Sequence, residues 1–131
     1  MNPVFLIGGK TLCIRRLKQT DLQHAYYDLM SLLSEIDRTI LRTREILDNL
    51  KNEYIYFVIE DLNTNMIIGT GTVIISNNST QLSQVGHIEN IMICQDYHNI
   101  GLGDIIFQHL KYYCLNTKHC IKVITNCDHN I

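Results

Sequence analysis

Runs of β-branched and aromatic residues, separated by short polar segments, fill the middle of the chain. They cover residues 54–61, 66–76 and 86–93, and the turn-forming letters LNTN separate the first two. Strand-like runs joined by such a turn are typical of an antiparallel hairpin. We therefore predict three neighbouring strands, with a polar loop over residues 76–85 between the second and the third.

Helical spacing appears on both sides of these runs. Thr20 and Asp21 offer an N-cap before an apolar stripe over residues 22–33, and a second amphipathic stretch covers residues 39–52. A third helix is predicted after Gly101, and further strands at residues 10–17 and 120–126. The order β, α, α, β, β, β, α, β predicts an α/β (α+β) domain around one central sheet.

The composition limits the classes of function that need to be considered. A chain of 131 residues with 46% hydrophobic residues is the size of one globular domain. Its net charge is -2 and its basic residues are scattered, so we expect no nucleic-acid partner. Because there is no basic leader and no run of ~18 apolar residues, we expect a cytoplasmic protein without a membrane partner.

The five cysteines form no CxxC pair, and their odd number fits reduced thiols better than a disulfide framework. The residues that could be combined into a zinc site match no paired-ligand spacing. We therefore expect no metal. The residues in question are Cys114, His119, Cys120, Cys127 and His129.

A glycine-spaced turn stands between the last of the three central strands and the third helix. Gly101 and Gly103 allow the backbone to approach a ligand closely, and the N–H groups that begin a helix carry no partner of their own. This combination favours an anion, in particular a phosphate. An ordinary helix entry with turn glycines is the alternative for so short a motif.

The turn resembles the pyrophosphate loop of the GNAT superfamily of acetyl-CoA-dependent N-acetyltransferases, which reads Arg/Gln-x-x-Gly-x-Gly/Ala. Gly101 and Gly103 match, and His98 stands where Arg or Gln is usual. Nearly the whole chain, most specifically GHIENIMICQDYHNIGLG, resembles the glucosamine 6-phosphate N-acetyltransferase family. The resemblance implies a GNAT fold whose mixed, mostly antiparallel central sheet is flanked by helices.

The resemblance also implies an activity. An enzyme of this kind transfers the acetyl group of acetyl-CoA to the amine of glucosamine 6-phosphate, by direct attack, for the synthesis of UDP-N-acetylglucosamine. Its partners are these two small molecules and a second copy of itself in a homodimer. A GNAT enzyme with another amine acceptor (a protein lysine, an N-terminus or a polyamine) and a non-catalytic acetyl-CoA-binding domain are the alternatives.

The resemblance assigns acetyl-CoA to three parts of the chain: backbone groups of one strand, the glycine turn and two residues near the C-terminus. The predicted cofactor-binding residues are Ile91, Met92, Ile93, His98, Asn99, Ile100, Gly101, Leu102, Gly103, Asp104, Asn126 and Asn130. In this assignment the N–H of Met92 faces the developing oxyanion.

The sugar is assigned to the same strand and to two other segments. Glu89 and Asn90 stand at the family's Glu-Asp pair; because an amide is not a base at ordinary pH, Glu89 is the predicted acid-base group. The predicted catalytic residues are Glu89, Asn90 and Met92, and the predicted substrate-binding residues are Ser34, Thr80, Gln81, Glu89, Asn90 and Ile91.

The chain departs from the family pattern in three respects. Amides replace acids at Asn90 and Asn126, and the family's basic and histidine residues are absent from the loop around Thr80 and Gln81. The tyrosine and arginine of the family's C-terminal segment do not follow Asn130. We therefore expect residues 1–131 to form a single GNAT domain that lacks its last strand.

Overall fold

The protein is described by a computed structural model, which covers residues 2–18, 21, 52–78 and 83–125. The predicted helices over residues 22–33 and 39–51 lie outside this part of the chain. Asn52, which the sequence pattern places at the end of the second helix, is instead the first residue of a strand.

In the described residues, six strands form a single sheet in the order in which they occur along the chain. They are β1 (Val4–Ile7), β2 (Lys10–Arg16), β3 (Asn52–Asp61), β4 (Met66–Asn78), β5 (Ser83–Ile93) and β6 (Lys122–Thr125). The first five pair antiparallel, and β5 pairs with β6 in parallel. The prediction of a mixed, mostly antiparallel sheet is confirmed.

The sheet is larger than the sequence pattern predicts. Strand β1 was not predicted, because its four residues follow Pro3 and end at the Gly8-Gly9 turn without a clear alternation. Strands β4 and β5 remain paired as far as Asn78 and Ser83. The predicted loop over residues 76–85 was therefore too long, since cross-strand pairing extends into polar sequence that has little strand propensity of its own.

The helix α1 (Leu102–Tyr112) packs on one face of the sheet and ends in a π-helical turn, Tyr113–Thr117. Leu102, Ile106 and Leu110 are almost completely buried. Leu110 and Ile106 lie over Gly71, where an added Cβ would stand 2.8 Å and 3.2 Å from their terminal methyl groups. Burial of each large apolar side chain contributes about 1.5–3 kcal/mol, so this stripe attaches the helix to the sheet.

A buried ion-pair network lies at the end of β2. Arg15 donates two hydrogen bonds of 2.8 Å to the carboxylate of Asp21, and its Nε donates to Glu60 at 3.0 Å. Burial alone would raise the pKa of Asp21, but the hydrogen bonds from Arg15 and from the Lys18 N–H outweigh it and lower that pKa. The network ties the chain that follows β2 to the sheet.

Within the described residues, neither helical segment is long and apolar enough to cross a membrane.

Candidate functional site

Strands β5 and β6 pair over only part of their length. Their parallel register runs from Val85 opposite Lys122 to Ile88 opposite Thr125. Strand β5 then continues to Ile93. From Glu89 onward, its edge away from β4 has no strand partner in the described part of the chain. We call this stretch, Glu89–Ile93, the open edge.

A β-bulge lies at the beginning of the open edge. Thr72 pairs with Glu89 and Thr70 pairs with Met92, so β5 holds one residue more than β4 between these two pairs. Asn90 adopts a left-handed conformation with φ of 56°. Asparagine tolerates this region better than most residues, and bulges of this kind redirect the strand and its side chains.

The pairing with β4 shows which backbone groups the open edge presents. Cys94 donates its N–H to the carbonyl of Ile68 at 2.7 Å. Since hydrogen-bonded and non-hydrogen-bonded pairs alternate in an antiparallel ladder, the pair Met92 and Thr70 is hydrogen-bonded in the same way. The N–H and C=O groups of Ile91 and Ile93 then point away from β4.

This register corrects one prediction. The N–H of Met92 is directed at β4 and not at the open edge, so it is not the donor that the resemblance assigned to an oxyanion. The resemblance could not reveal this, because the phase of the ladder depends on the bulge at Asn90.

The side chains around the open edge are of mixed polarity. Glu89 is half-buried and Asn90 is exposed. Met92 is 47% exposed, whereas Ile91 and Ile93 are buried in the core. Across the ladder from Met92, Thr70 is 2% exposed, and its Oγ1 finds no hydrogen-bond partner among the described residues. A buried hydroxyl without a partner costs free energy unless a ligand or water satisfies it.

The glycine turn leads directly into α1. After the 3₁₀ turn Gln95–Tyr97, Gly101 caps α1 in a left-handed conformation (φ 85°) and makes no side-chain cap hydrogen bond. A Cβ built on Gly101 would meet no described atom within 4 Å. Asn99, also left-handed (φ 65°), is exposed beside it, while Leu102 and Gly103 are buried. The geometry fits a phosphate group held by the first N–H groups of the helix.

The ring of His98 contacts the strand that precedes the glycine turn. Its Nε2 lies 2.7 Å from the carbonyl oxygen of Ile93. Because a carbonyl can only accept, Nε2 carries the proton and donates it to Ile93. A hydrogen bond from this ring to a phosphate would therefore have to come from Nδ1 of the imidazolium form. His98 also closes the carbonyl end of the open edge.

Tyr97 and Asp61 support the glycine turn, and sequence reasoning did not identify them. The hydroxyl of Tyr97 donates to Asp61 Oδ2 at 2.6 Å, and Asp61 is 3% exposed. Burial, followed by the hydrogen bond to Asp61, raises the pKa of Tyr97 to about 12. The sequence showed only that Asp61 is an acid at the end of a predicted strand. No sequence pattern pairs it with Tyr97, which lies 36 residues further along the chain.

Several predicted site residues lie outside the described part of the chain. They are Ser34, Thr80, Gln81, Asn126 and Asn130. Those that the structure describes fall into two adjoining groups, the open edge and the turn from His98 to Asp104. Within residues 2–18, 21, 52–78 and 83–125, no three His, Cys, Asp or Glu side chains come close enough to hold a metal ion.

Comparisons with known proteins agree with this arrangement. The model of the Acetyltransferase (GNAT) family matches residues 18–130. A probable glucosamine 6-phosphate N-acetyltransferase of Drosophila melanogaster is 30% identical over 103 residues, which cover 76% of this chain and 47% of the relative. The chain thus spans about half the length of that relative.

Two further similarities cover more of the other protein. Glucosamine 6-phosphate N-acetyltransferase 1 of Dictyostelium discoideum is 26% identical over 121 residues, 88% of this chain and 76% of the relative. The crystal structure of glucosamine-6-phosphate N-acetyltransferase from Arabidopsis thaliana superposes with a TM-score of 0.69 at 25% identity, covering 91% of this chain and 84% of that one.

The fold, the divergence of β5 from β6 and the glycine turn therefore agree with the match of the family model over residues 18–130. The predicted GNAT fold and the predicted resemblance are both confirmed, and the chain belongs to the GNAT acetyltransferase family.

Proposed function

We propose that the protein transfers the acetyl group of acetyl-CoA to the amine of glucosamine 6-phosphate, giving N-acetylglucosamine 6-phosphate and CoA for UDP-N-acetylglucosamine synthesis. GNAT acetyltransferases use acetyl-CoA. The observation that carries the sugar assignment is the continuous run from the Gly86–Glu89 strand segment through the open edge to the glycine turn. Curated relatives that resemble this chain are named for the same sugar.

The cosubstrate fits the described residues. Both backbone groups of Ile91 and the N–H of Ile93 are available to amide groups of a pantetheine arm, whereas the C=O of Ile93 already accepts a hydrogen bond from His98. The N–H groups after Gly101 are available to the phosphates. Bound there, acetyl-CoA would supply an acetyl group activated as a thioester. With Met92 directed at β4, we assign the stabilisation of negative charge on the acyl oxygen to the N–H of Ile91 or Ile93.

Glu89 is the proposed proton acceptor. It is half-buried at the point where β5 leaves β6, opposite Thr72. The amine of an amino sugar is protonated at neutral pH and must lose a proton before it can attack, directly or through water. Asn90 is exposed beside Glu89 and can hydrogen-bond a sugar hydroxyl, but it cannot take the proton. Direct attack requires no nucleophilic side chain.

The rest of the proposal concerns residues and assemblies beyond the described chain. Ser34, Thr80 and Gln81 remain the proposed sugar contacts, and Asn126 and Asn130 remain proposed cosubstrate contacts. We also propose that the protein works as a cytoplasmic homodimer and that residues 1–131 form one domain. Analytical ultracentrifugation at micromolar protein tests the dimer, and a monomer mass would contradict it.

The test of the activity is CoA release measured with a thiol reagent. Acetyl-CoA is supplied with glucosamine 6-phosphate, and in parallel with glucosamine, spermidine or a lysine peptide. We expect release only with the phosphorylated sugar. Release with another amine would instead identify a GNAT enzyme with a different acceptor. Binding of acetyl-CoA without release in any mixture would identify a non-catalytic binding domain.

The role of Glu89 is tested with Glu89→Gln. Loss of a general base typically costs about 10²–10⁴-fold in turnover. We expect kcat to fall by this order while the affinity for acetyl-CoA, measured by calorimetry, stays within about twofold. Glu53→Gln is the matched control, because Glu53 is exposed at the far end of β3, where it pairs with Lys118. An unchanged kcat in Glu89→Gln would assign proton removal to water or backbone.

A further inference from the structure

We propose that Lys10, the first residue of β2 in the β1–β2 hairpin, is a cation of the CoA phosphate site. This inference rests on the proposed function and assigns to the site a residue distant in sequence from the glycine turn. The chemistry concerned is recognition of a phosphate, either the diphosphate or the 3′-phosphate of CoA.

Two contacts place the β1–β2 hairpin beside the glycine turn. A Cβ built on Gly8 would lie 3.9 Å from the Cγ2 of Ile100, the residue before Gly101. The ammonium group of Lys10 lies 4.8 Å from the ring centroid of Tyr97, the residue before His98. The hairpin therefore approaches both ends of the segment 97–100.

The charges of the glycine turn indicate that a cation from elsewhere is needed. The segment from His98 to Asp104 contains no Lys or Arg, and His98 donates Nε2 to a backbone carbonyl. Asp104, in the first turn of α1, is exposed and adds a negative charge at the end of the helix where a phosphate would bind. Helix N–H groups alone would have to overcome this repulsion as well as bind the phosphates.

The other described cations near the sheet are engaged or distant: Arg16 and Lys18 lie at or beyond the opposite end of β2 from Lys10, and Lys122 lies in β6 opposite Val85. Arg15 is bound by Asp21 and Glu60, and Lys118 pairs with Glu53. Lys111 lies in the last turn of α1, at the opposite end of the helix from Gly101.

Lys10 is also held in place. Among the described residues, its ammonium nitrogen forms no ion pair with a carboxylate oxygen within 4.0 Å. The ring beneath its ammonium group is fixed by the 2.6 Å hydrogen bond from Tyr97 to Asp61. A cation held over an aromatic face retains its charge and its N–H donors. Tyr97 and Asp61 are therefore positioning residues for Lys10 and for the turn.

The test is CoA binding by calorimetry at two salt concentrations, with wild type, Lys10→Met, Lys10→Arg and the control Lys111→Met. Both methionine variants lower the net charge by one. Comparing them separates the effect of the charge at Lys10 on CoA affinity from the effect of the protein's overall charge. We expect Lys10→Met to weaken CoA binding about tenfold and to reduce its salt dependence, as for loss of a charge-assisted hydrogen bond. Lys10→Arg should recover most of the affinity, and Lys111→Met should match wild type.

Shorter ligands distinguish the two phosphates. If Lys10 contacts the diphosphate, Lys10→Met weakens CoA and dephospho-CoA equally. If it contacts the 3′-phosphate, the loss appears with CoA only. Pantetheine, which has no phosphate, should bind both proteins alike, and thermal unfolding verifies that each variant folds.

Two results would overturn the proposal, and they differ. If wild type binds CoA and Lys10→Met binds it equally well, Lys10 is not a phosphate ligand while the proposed function stands. If wild type does not bind CoA at all, the proposed function fails together with the inference.

Discussion

Gly86 allows the end of α1 to lie directly against β5. A Cβ built on Gly86 would stand 2.7 Å from the Sγ of Cys114, 3.0 Å from its Cβ and 3.3 Å from the Sγ of Cys120. Optimal separations between such atoms are about 3.5–4.0 Å, so Gly86→Ala overlaps a neighbour that is completely buried. The strand or the π-helical turn must move to relieve the overlap.

The cost of Gly86→Ala can be estimated. Overpacking a well-filled core typically costs 1–3 kcal/mol, so we expect about 2 kcal/mol. A domain of 131 residues unfolds with an entropy of about 0.28 kcal/mol per kelvin near its midpoint, which converts this cost into a fall in Tm of about 7 °C. Gly69→Ala is the control, since its closest contacts are the movable terminal methyl carbons of Ile59 and Ile93 at 2.9 Å. It should cost less than about 1 kcal/mol.

The measurement is urea and thermal unfolding of both single variants, of Cys114→Ala and of the double variant Gly86→Ala/Cys114→Ala. Removing the Sγ of Cys114 relieves the closest contact, so adding Gly86→Ala in that background should cost about 1 kcal/mol or less. An equal cost in both backgrounds, or a Tm for Gly86→Ala equal to that of wild type, would refute the packing argument.

Three further outcomes are expected. Gly101→Val should weaken CoA binding by calorimetry at least about tenfold, because valine is strained at a φ of 85° and its side chain enters the space left for a phosphate; unchanged affinity would remove the phosphate assignment. Asp21→Asn should destabilise the protein by about 3 kcal/mol at pH 7. Since the folded-state pKa of Asp21 is lowered, its contribution is complete above the unfolded value of about 3.9 and is lost as pH falls through the folded value, so the urea midpoints of variant and wild type should converge toward pH 2. Burial, together with the neighbouring Cys120, raises the pKa of Cys114 to about 12, so native protein at pH 8 should resist iodoacetamide at Cys114, with rapid labelling only in urea.

The sequence predicted the sheet and the glycine turn well because both are local patterns. The runs at residues 54–61, 66–76 and 86–93 all lie in strands, and the helix predicted after Gly101 begins at Leu102. The resemblance added the family, which periodicity alone does not indicate. Strand β1 was missed because it depends on pairing with β2 and not on its own four residues.

The chemistry of the site was harder to predict, because it depends on long-range geometry. The resemblance assigned the N–H that faces the oxyanion to Met92. The alternation of hydrogen bonds between β4 and β5 instead leaves the N–H groups of Ile91 and Ile93 directed away from β4. The ring of His98 turns to the carbonyl of Ile93, which no spacing rule shows. The partnership of Tyr97 with Asp61, and the approach of Lys10 to that ring, join segments 36 or more residues apart in sequence.

The bulge at Asn90 makes the length of β5 as important as its composition. The extra residue lets Ile88 and Ile91, three positions apart, both face α1, although a regular strand repeats every second residue. Deleting one residue between Ile88 and Ile93 would bring Met92 into the core or expose the isoleucines. This strand should therefore be more sensitive to an insertion or a deletion than to substitution of an exposed residue such as Met92, because a change of length moves every side chain beyond it to the opposite face.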